Sequence, residues 1–125
     1  MMENHRLDKH PILSVPERED VLFTFNGRPL TAKQGEMISS ALIANGISVF
    51  GHHHKDGSAQ GIFCANGQCA KCTVIANGVA VKSCMTLVTP GMEVRSAEGL
   101  PALPESPVIV QRPAIEQVAC EVLII

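Results

Sequence analysis

Tryptophan and tyrosine are absent from this 125-residue chain, and phenylalanine occurs only four times. A core is therefore expected to be built from Val, Ile, Leu and Met, without the large area that rings bury. That core will be small, and small domains commonly rely on a bound metal for useful stability. Also missing is an excess of either charge, since ten basic and twelve acidic side chains leave a net charge of −2. The lack of a basic stripe argues against a nucleic-acid partner. The lack of a heavy acidic excess removes the field that helps a freely diffusing carrier find many basic partners. No apolar run approaches the roughly 18 residues of a membrane span. The first twenty residues carry Glu3, Arg6, Asp8, Lys9, Glu17, Arg18, Glu19 and Asp20, a mixture unlike the apolar stretch of a signal peptide. The expectation is one soluble, cytoplasmic domain with room for tails.

Cysteine is where the chain is unusual. There are five, an odd number, and three of them fall within nine residues, a pattern foreign to the disulfide frameworks of small secreted proteins. Cys64, Cys69, Cys72 and Cys84 read C-x4-C-x2-C-x11-C. This is the spacing of a [2Fe–2S] ferredoxin loop, in which four thiolates converge on two irons. Such a loop must fold tightly and turn backbone N–H groups toward the sulfurs to offset their charge. Ala65, Asn66, Gly67 and Ala70 are small enough for this, and Gly67 can take a positive φ. A structural zinc site also uses four thiolates, though usually as two C-x2-C knuckles, and here there is one. A disulfide within the set is disfavoured by a reducing compartment.

The element pattern supports the same site. Residues 1–20 read as a charged arm with Pro11 and Pro16, whose ordering would need an outside partner. Strands are expected at Val21–Phe25 and Arg28–Thr31, joined by Asn26-Gly27, a type I′ hairpin signature. Met37/Ala41 and Ile38/Leu42 recur at i,i+4, predicting a helix that begins after Gly35 and ends at Asn45-Gly46. Val49-Phe50 reads as a short strand, and residues 51–60 as a polar loop. A second hairpin, Thr73–Ala76 and Val79–Cys84 around Asn77-Gly78, brings Cys84 back toward the cysteine loop, and Met92–Arg95 forms a last strand. Two hairpins and one helix, with the loop between helix and second hairpin, make an α+β fold of β-grasp type, a mixed sheet with one packed helix and extended arms at both ends. The cluster domain is expected at residues 21–99. Residues 100–125 read as a linker, with four prolines between 100 and 113, and a strand-like terminal tail from Ile115.

Other residues carry weaker signals. His52, His53 and His54 precede the loop, and three adjacent imidazoles on an extended segment point alternately, so the expectation is solvated side chains. The lesser alternative is that one of them tunes the cluster. Ile62 and Phe63 would shield the cluster or pack in the core. Cys120, in an apolar run, reads as a buried small hydrophobe.

The stretch from Val21 to Leu103 resembles the β-grasp [2Fe–2S] domain that accompanies FAD-dependent amine and amino-acid dehydrogenases. This group includes proline or hydroxyproline dehydrogenases, opine oxidases, the hydrogen cyanide synthase small subunit and the N-terminal domain of the sarcosine oxidase alpha subunit. The Gly–aromatic–Cys entry of the group is matched by Gly61-Ile62-Phe63-Cys64, whereas Gln60 stands where many members have arginine. The resemblance implies a cluster held by Cys64, Cys69, Cys72 and Cys84, and FAD only on a partner. Residues 116–125 resemble the lead-in and first strand of an FAD-binding Rossmann domain, but no Gly-rich loop follows, so the motif for dinucleotide binding is incomplete. The expected function is a non-catalytic electron-transfer subunit, passing single electrons to or from FAD in a partner amine or amino-acid dehydrogenase or oxidase, in a hetero-oligomer whose flavoprotein receives the tail. The alternative is a free-standing ferredoxin. A molybdenum-hydroxylase small subunit is set aside because it needs four more cysteines and only Cys120 remains. A structural metal module for protein interaction would be colourless if it held zinc.

Overall fold

The computed structural model describes residues 4–102, 114–115 and 117–122. Among the described residues, seven strands and one helix follow in the order β1 (Asp20–Phe25), β2 (Arg28–Lys33), α1 (Ile38–Ala44), β3 (Gly51–His52), β4 (Ala59–Gln60), β5 (Thr73–Ala76), β6 (Val79–Lys82) and β7 (Glu93–Glu98). This is the β-grasp arrangement of mixed sheet and single helix.

Local chemistry sets both long hairpins. In β1, Val21, Phe23 and Phe25 are buried while Leu22 between them is exposed, the period of two that gives a strand one inner face. Asn26 and Gly27 take φ of 50° and 77°, and Asn77 and Gly78 take 47° and 82°. Both positions at positive φ are what a type I′ turn demands, and Asn and Gly tolerate them best. The β7 strand is the hub of the sheet. It pairs in parallel with β1 at Glu93 and Val94, in parallel with β3 at Ala97 and Glu98, and antiparallel with β5 from Val94 to Ser96.

Helix α1 lays Ile38, Ala41 and Leu42, all fully buried, against that sheet. Its first residues have no capping side chain. Instead Ile38 N–H donates to Thr86 O at 2.9 Å and Ser39 N–H to Ser83 O at 3.1 Å, so the turn that follows β6 satisfies the free donors. At the other end Gly46, at φ 76°, closes the helix with Ile47 N–H on Leu42 O.

Several expectations are corrected. Three of the four phenylalanines (Phe23, Phe25 and Phe50) lie in the core beside Leu30, Val74 and Val94, so the interior is less purely aliphatic than composition implied. The strand expected at Val49-Phe50 starts at Gly51, and the segment read as a loop is the short hairpin β3–β4. Gly51 permits this because Ala97 O lies 2.1 Å from where a Cβ would stand. Described residues of the N-terminal arm, His5 and Arg6 among them, make contacts within the chain itself. His5 N–H donates to Ala44 O at 2.9 Å, and Arg6 donates to both carboxylate oxygens of Glu36, at 3.0 and 2.7 Å, and to Thr31 O at 3.1 Å. The described part of the terminal run, residues 114–115 and 117–122, is exposed and contains no strand. Most of the proline-rich linker and the last three residues lie outside the described residues. Among the described residues no helix is long and apolar enough to cross a membrane.

Candidate metal centre

The cysteine loop leaves the sheet at Gly61, where a Cβ would fall 2.4 Å from Ser48 O, so only glycine allows this entry. Two residues in the left-handed region, Ala65 at φ 55° and Gly67 at φ 80°, then curl the chain inward. The curl aims two backbone N–H groups at one sulfur: Asn66 N–H and Cys69 N–H donate to Cys64 Sγ at 3.5 and 3.3 Å. These donors bring the Cys64 thiol down to about 6, the Asn66 N–H first among the causes and the Cys69 N–H second. The loop thus favours the thiolate at Cys64, and thiolate is the form that binds iron.

The second pair lies deeper. Cys72 and Cys84 are both buried. Burial pushes the Cys84 thiol up, and its hydrogen bond with Cys72 pushes the same way, against a Gly67 backbone N–H that favours the anion. Cys69 likewise neighbours Cys64, to whose sulfur its N–H donates at 3.3 Å, and the Cys64 charge is felt at Cys84. The four thiols therefore form two adjacent pairs. Among the described residues no three His, Cys, Asp or Glu side chains are grouped closely enough to hold one metal ion. Two adjacent thiol pairs, with N–H groups facing a sulfur, suit a two-iron cluster with one pair per iron better than a mononuclear zinc site.

Residues that the spacing could not reveal hold the loop against the Cys84 turn. Lys82 Nζ donates to Gly67 O at 2.5 Å, across fifteen positions of sequence. Met85 packs over Gly67, its Cγ 2.9 Å from where a Cβ would be, which makes the glycine necessary for space as well as for φ. Ser83 N–H donates to Cys72 O at 3.1 Å, joining the last loop cysteine to the residue before Cys84. The only hint in the sequence is that Lys82, Ser83 and Met85 flank Cys84.

The remaining candidates are placed as follows. Phe63 is 74% exposed with Lys71 Nζ 5.2 Å above its ring, and Ile62 is half-exposed, so neither packs in the core. His52 pairs with Glu98 at 2.9 Å, and His53 with Asp56 at 3.0 Å. The Asp56 carboxyl is held down to about 2, chiefly by the Ser58 N–H. His54 stacks obliquely on His53 with ring centroids 4.6 Å apart. The triplet borders a groove of about 450 Å³ with Ala70, Lys71, Thr73 and Leu100. Cys120 is exposed, contrary to the burial expected of an apolar run.

Comparison with known proteins agrees with this geometry. Residues 18–99 match the 2Fe-2S iron-sulfur cluster binding domain. The chain is 32% identical over 93 residues to hydrogen cyanide synthase subunit HcnA of Pseudomonas aeruginosa, covering 74% of this chain and 88% of that protein. It is 33% identical over 107 residues to sarcosine oxidase subunit alpha of Rhizobium meliloti, covering 82% of this chain but 11% of the larger one. In structure it resembles L-proline dehydrogenase from P. horikoshii, with a TM-score of 0.60 at 24% identity over 74% of this chain and 18% of that one. At that identity the likeness concerns the fold.

Proposed function

We propose, from the premise that this chain belongs to the 2Fe-2S iron-sulfur cluster binding domain family, that it is the electron-relay subunit of an oxidoreductase whose FAD resides on a partner chain. Cys64 and Cys69 would hold one iron, and Cys72 and Cys84 the other. The bound cluster supplies one-electron chemistry, while bond breaking at the substrate belongs to the flavin. The chain's own residues do the rest. Asn66 and Cys69 present N–H groups that offset charge on Cys64 Sγ. Lys82 clamps the loop through Gly67 O. Cys72 and Cys84 are buried, so that side of the site is shielded from water.

The observation that carries this reading is the gathering of four thiols into two adjacent pairs on a loop and a turn tied together by Lys82. The likeness to sarcosine oxidase subunit alpha supports a partner that acts on an amine or amino acid, and we take that substrate to be of the proline, sarcosine or opine type. We assign residues 21–99 to the cluster domain, 1–20 to an arm and 100–125 to a tail that docks on the flavoprotein, in a cytoplasmic hetero-oligomer. Anaerobic purification from the native source, followed by size-exclusion chromatography with absorbance at cluster and flavin wavelengths, tests it. Co-elution of iron, sulfide and flavin in one complex is expected. A coloured monomer without flavin would favour the free ferredoxin, and colourless protein without inorganic sulfide would sink both.

A further inference from the structure

Ser83 is fully buried, and among the described residues its Oγ is the one enclosed side-chain oxygen or nitrogen without a hydrogen-bond partner. Such orphans are rare, because an enclosed hydroxyl forfeits the bonds it would make in water. Neighbouring side chains on the same loop and turn are all engaged: Thr73 Oγ1 donates to Ala70 O, Thr86 Oγ1 to Lys82 O, and Lys82 Nζ to Gly67 O. Ser83 is also fixed in place. Its N–H donates to Cys72 O and its C=O accepts from Ser39 N–H, both at 3.1 Å. The residue therefore cannot swing outward, and little beyond side-chain rotation is left to it. It sits beside Cys84 in sequence and is bonded to Cys72 across the turn, the two members of the buried thiol pair.

An enclosed hydroxyl that precedes Cys84 in the chain, on a backbone bonded to Cys72, has a sulfur on that side of the site as its candidate acceptor. We propose that Ser83 Oγ–H donates a hydrogen bond to a sulfur on the Cys72/Cys84 side of the [2Fe–2S] cluster and holds the reduction potential up. This rests on the reading of the four cysteines as cluster ligands. Reduction adds one electron and moves no proton: the hydroxyl keeps its hydrogen, and the bond strengthens as the sulfur gains negative charge. Removing the donor therefore penalises the reduced state more than the oxidised one.

Ser83→Ala and Ser83→Thr in the full chain, anaerobically loaded, test this by redox titration followed by visible absorbance and electron paramagnetic resonance. Ser83→Ala is expected to bind the same iron and sulfide yet shift the reduction equilibrium about tenfold toward the oxidised form, ~59 mV for one electron. Ser83→Thr keeps the hydroxyl and is expected to stay within about threefold of wild type. The reduced wild-type protein should also show a coupled proton, lost in Ser83→Ala, that exchanges slowly with deuterium because Ser83 is fully buried. A normally loaded Ser83→Ala with wild-type potential and proton couplings overturns the proposal and assigns the hydroxyl to an enclosed water. Should Ser83→Ala fail to load, the slowly exchanging coupled proton decides: its presence in reduced wild type and in Ser83→Thr supports the donor, and its absence from both refutes it. A wild-type protein that takes up no cluster is a separate failure, which removes the ligand reading itself.

Discussion

Arg6→Ala should release the N-terminal arm while leaving the sheet intact. The Arg6 guanidinium makes a two-pronged contact with Glu36 and a third bond to Thr31 O, and both charged side chains are only 16% exposed. A fully exposed ion pair contributes about 0–1 kcal/mol, whereas removing one partner of a buried pair costs about 3–5 kcal/mol. This pair lies between those limits, and Glu36 would keep its bond from Lys33 N–H, so a loss of about 2 kcal/mol is expected. At ~1.4 kcal/mol per tenfold, that is roughly a thirtyfold rise in arm opening. Amide hydrogen exchange reads it directly, since the His5 N–H bonded to Ala44 O should lose about that much protection while the β1 and β5 amides keep theirs. The pH dependence has a definite sign. Burial pushes the Glu36 carboxyl up, but Arg6 and the Lys33 N–H outweigh it and the net shift is downward. A carboxylate depressed in the folded state adds stability that is complete above its unfolded value of ~4.3 and lost as pH falls through the folded value. Wild-type protection at His5 should therefore be flat at neutral pH and fall in acid, and Arg6→Ala should flatten that acid limb. Unchanged His5 protection in Arg6→Ala would refute the reasoning and place the arm's anchorage elsewhere.

Other consequences are open to measurement. Replacing Cys84 by Ser should abolish the visible chromophore of anaerobically loaded protein, while Cys120→Ser should leave the spectrum and the iron content unchanged, because Cys120 is exposed and stands far from the pattern in sequence. In cluster-free protein at pH 7, iodoacetamide followed by mass spectrometry should label Cys64 first, its thiol being held at about 6, and Cys84 last, its thiol being pushed up by burial; equal rates at both would contradict the geometry of the loop. Gly51→Ala should be severe, since its Cβ would meet backbone at Ala97 O rather than a yielding side chain. A loss above ~3 kcal/mol in urea unfolding is expected, against about 1 kcal/mol for an ordinary substitution.

The parts of this molecule legible from sequence are those set by neighbours along the chain. Asn26-Gly27 and Asn77-Gly78 declare their hairpins because the backbone angles they favour are local properties. The cysteine spacing is equally local, and it singles out four thiols without any knowledge of the fold. What escaped depends on distant partners. The two-residue strands β3 and β4 have no period to read, and β3 is held by β7, more than forty positions away. The Arg6–Glu36 contact spans thirty residues, and nothing in a charged, proline-containing arm announces which carboxylate it will find. The histidine triplet illustrates the opposite case. Its conspicuous chemistry is absorbed by Glu98 and Asp56, ordinary acids that happen to lie within reach.

The start of α1 shows why the site and the fold are not separable here. Thr31 to Gln34 imitates a capping box, yet the helix begins at Ile38 behind Met37, a residue that caps nothing with its side chain. A helix beginning so should leave its first N–H groups unsatisfied. They are satisfied because the chain around Cys84 lies across them, offering Ser83 O and Thr86 O, while Glu36 O receives Val88 N–H just outside. Cys84 is thus carried by a turn whose carbonyls complete the helix, and the helix in turn fixes where the fourth thiol stands. The same Glu36 anchors Arg6 through its carboxylate. Arm, helix start and Cys84 turn therefore form one continuous set of bonds. That continuity explains how a fourth thiol twelve positions beyond the third can be held in register with a loop built largely from small residues.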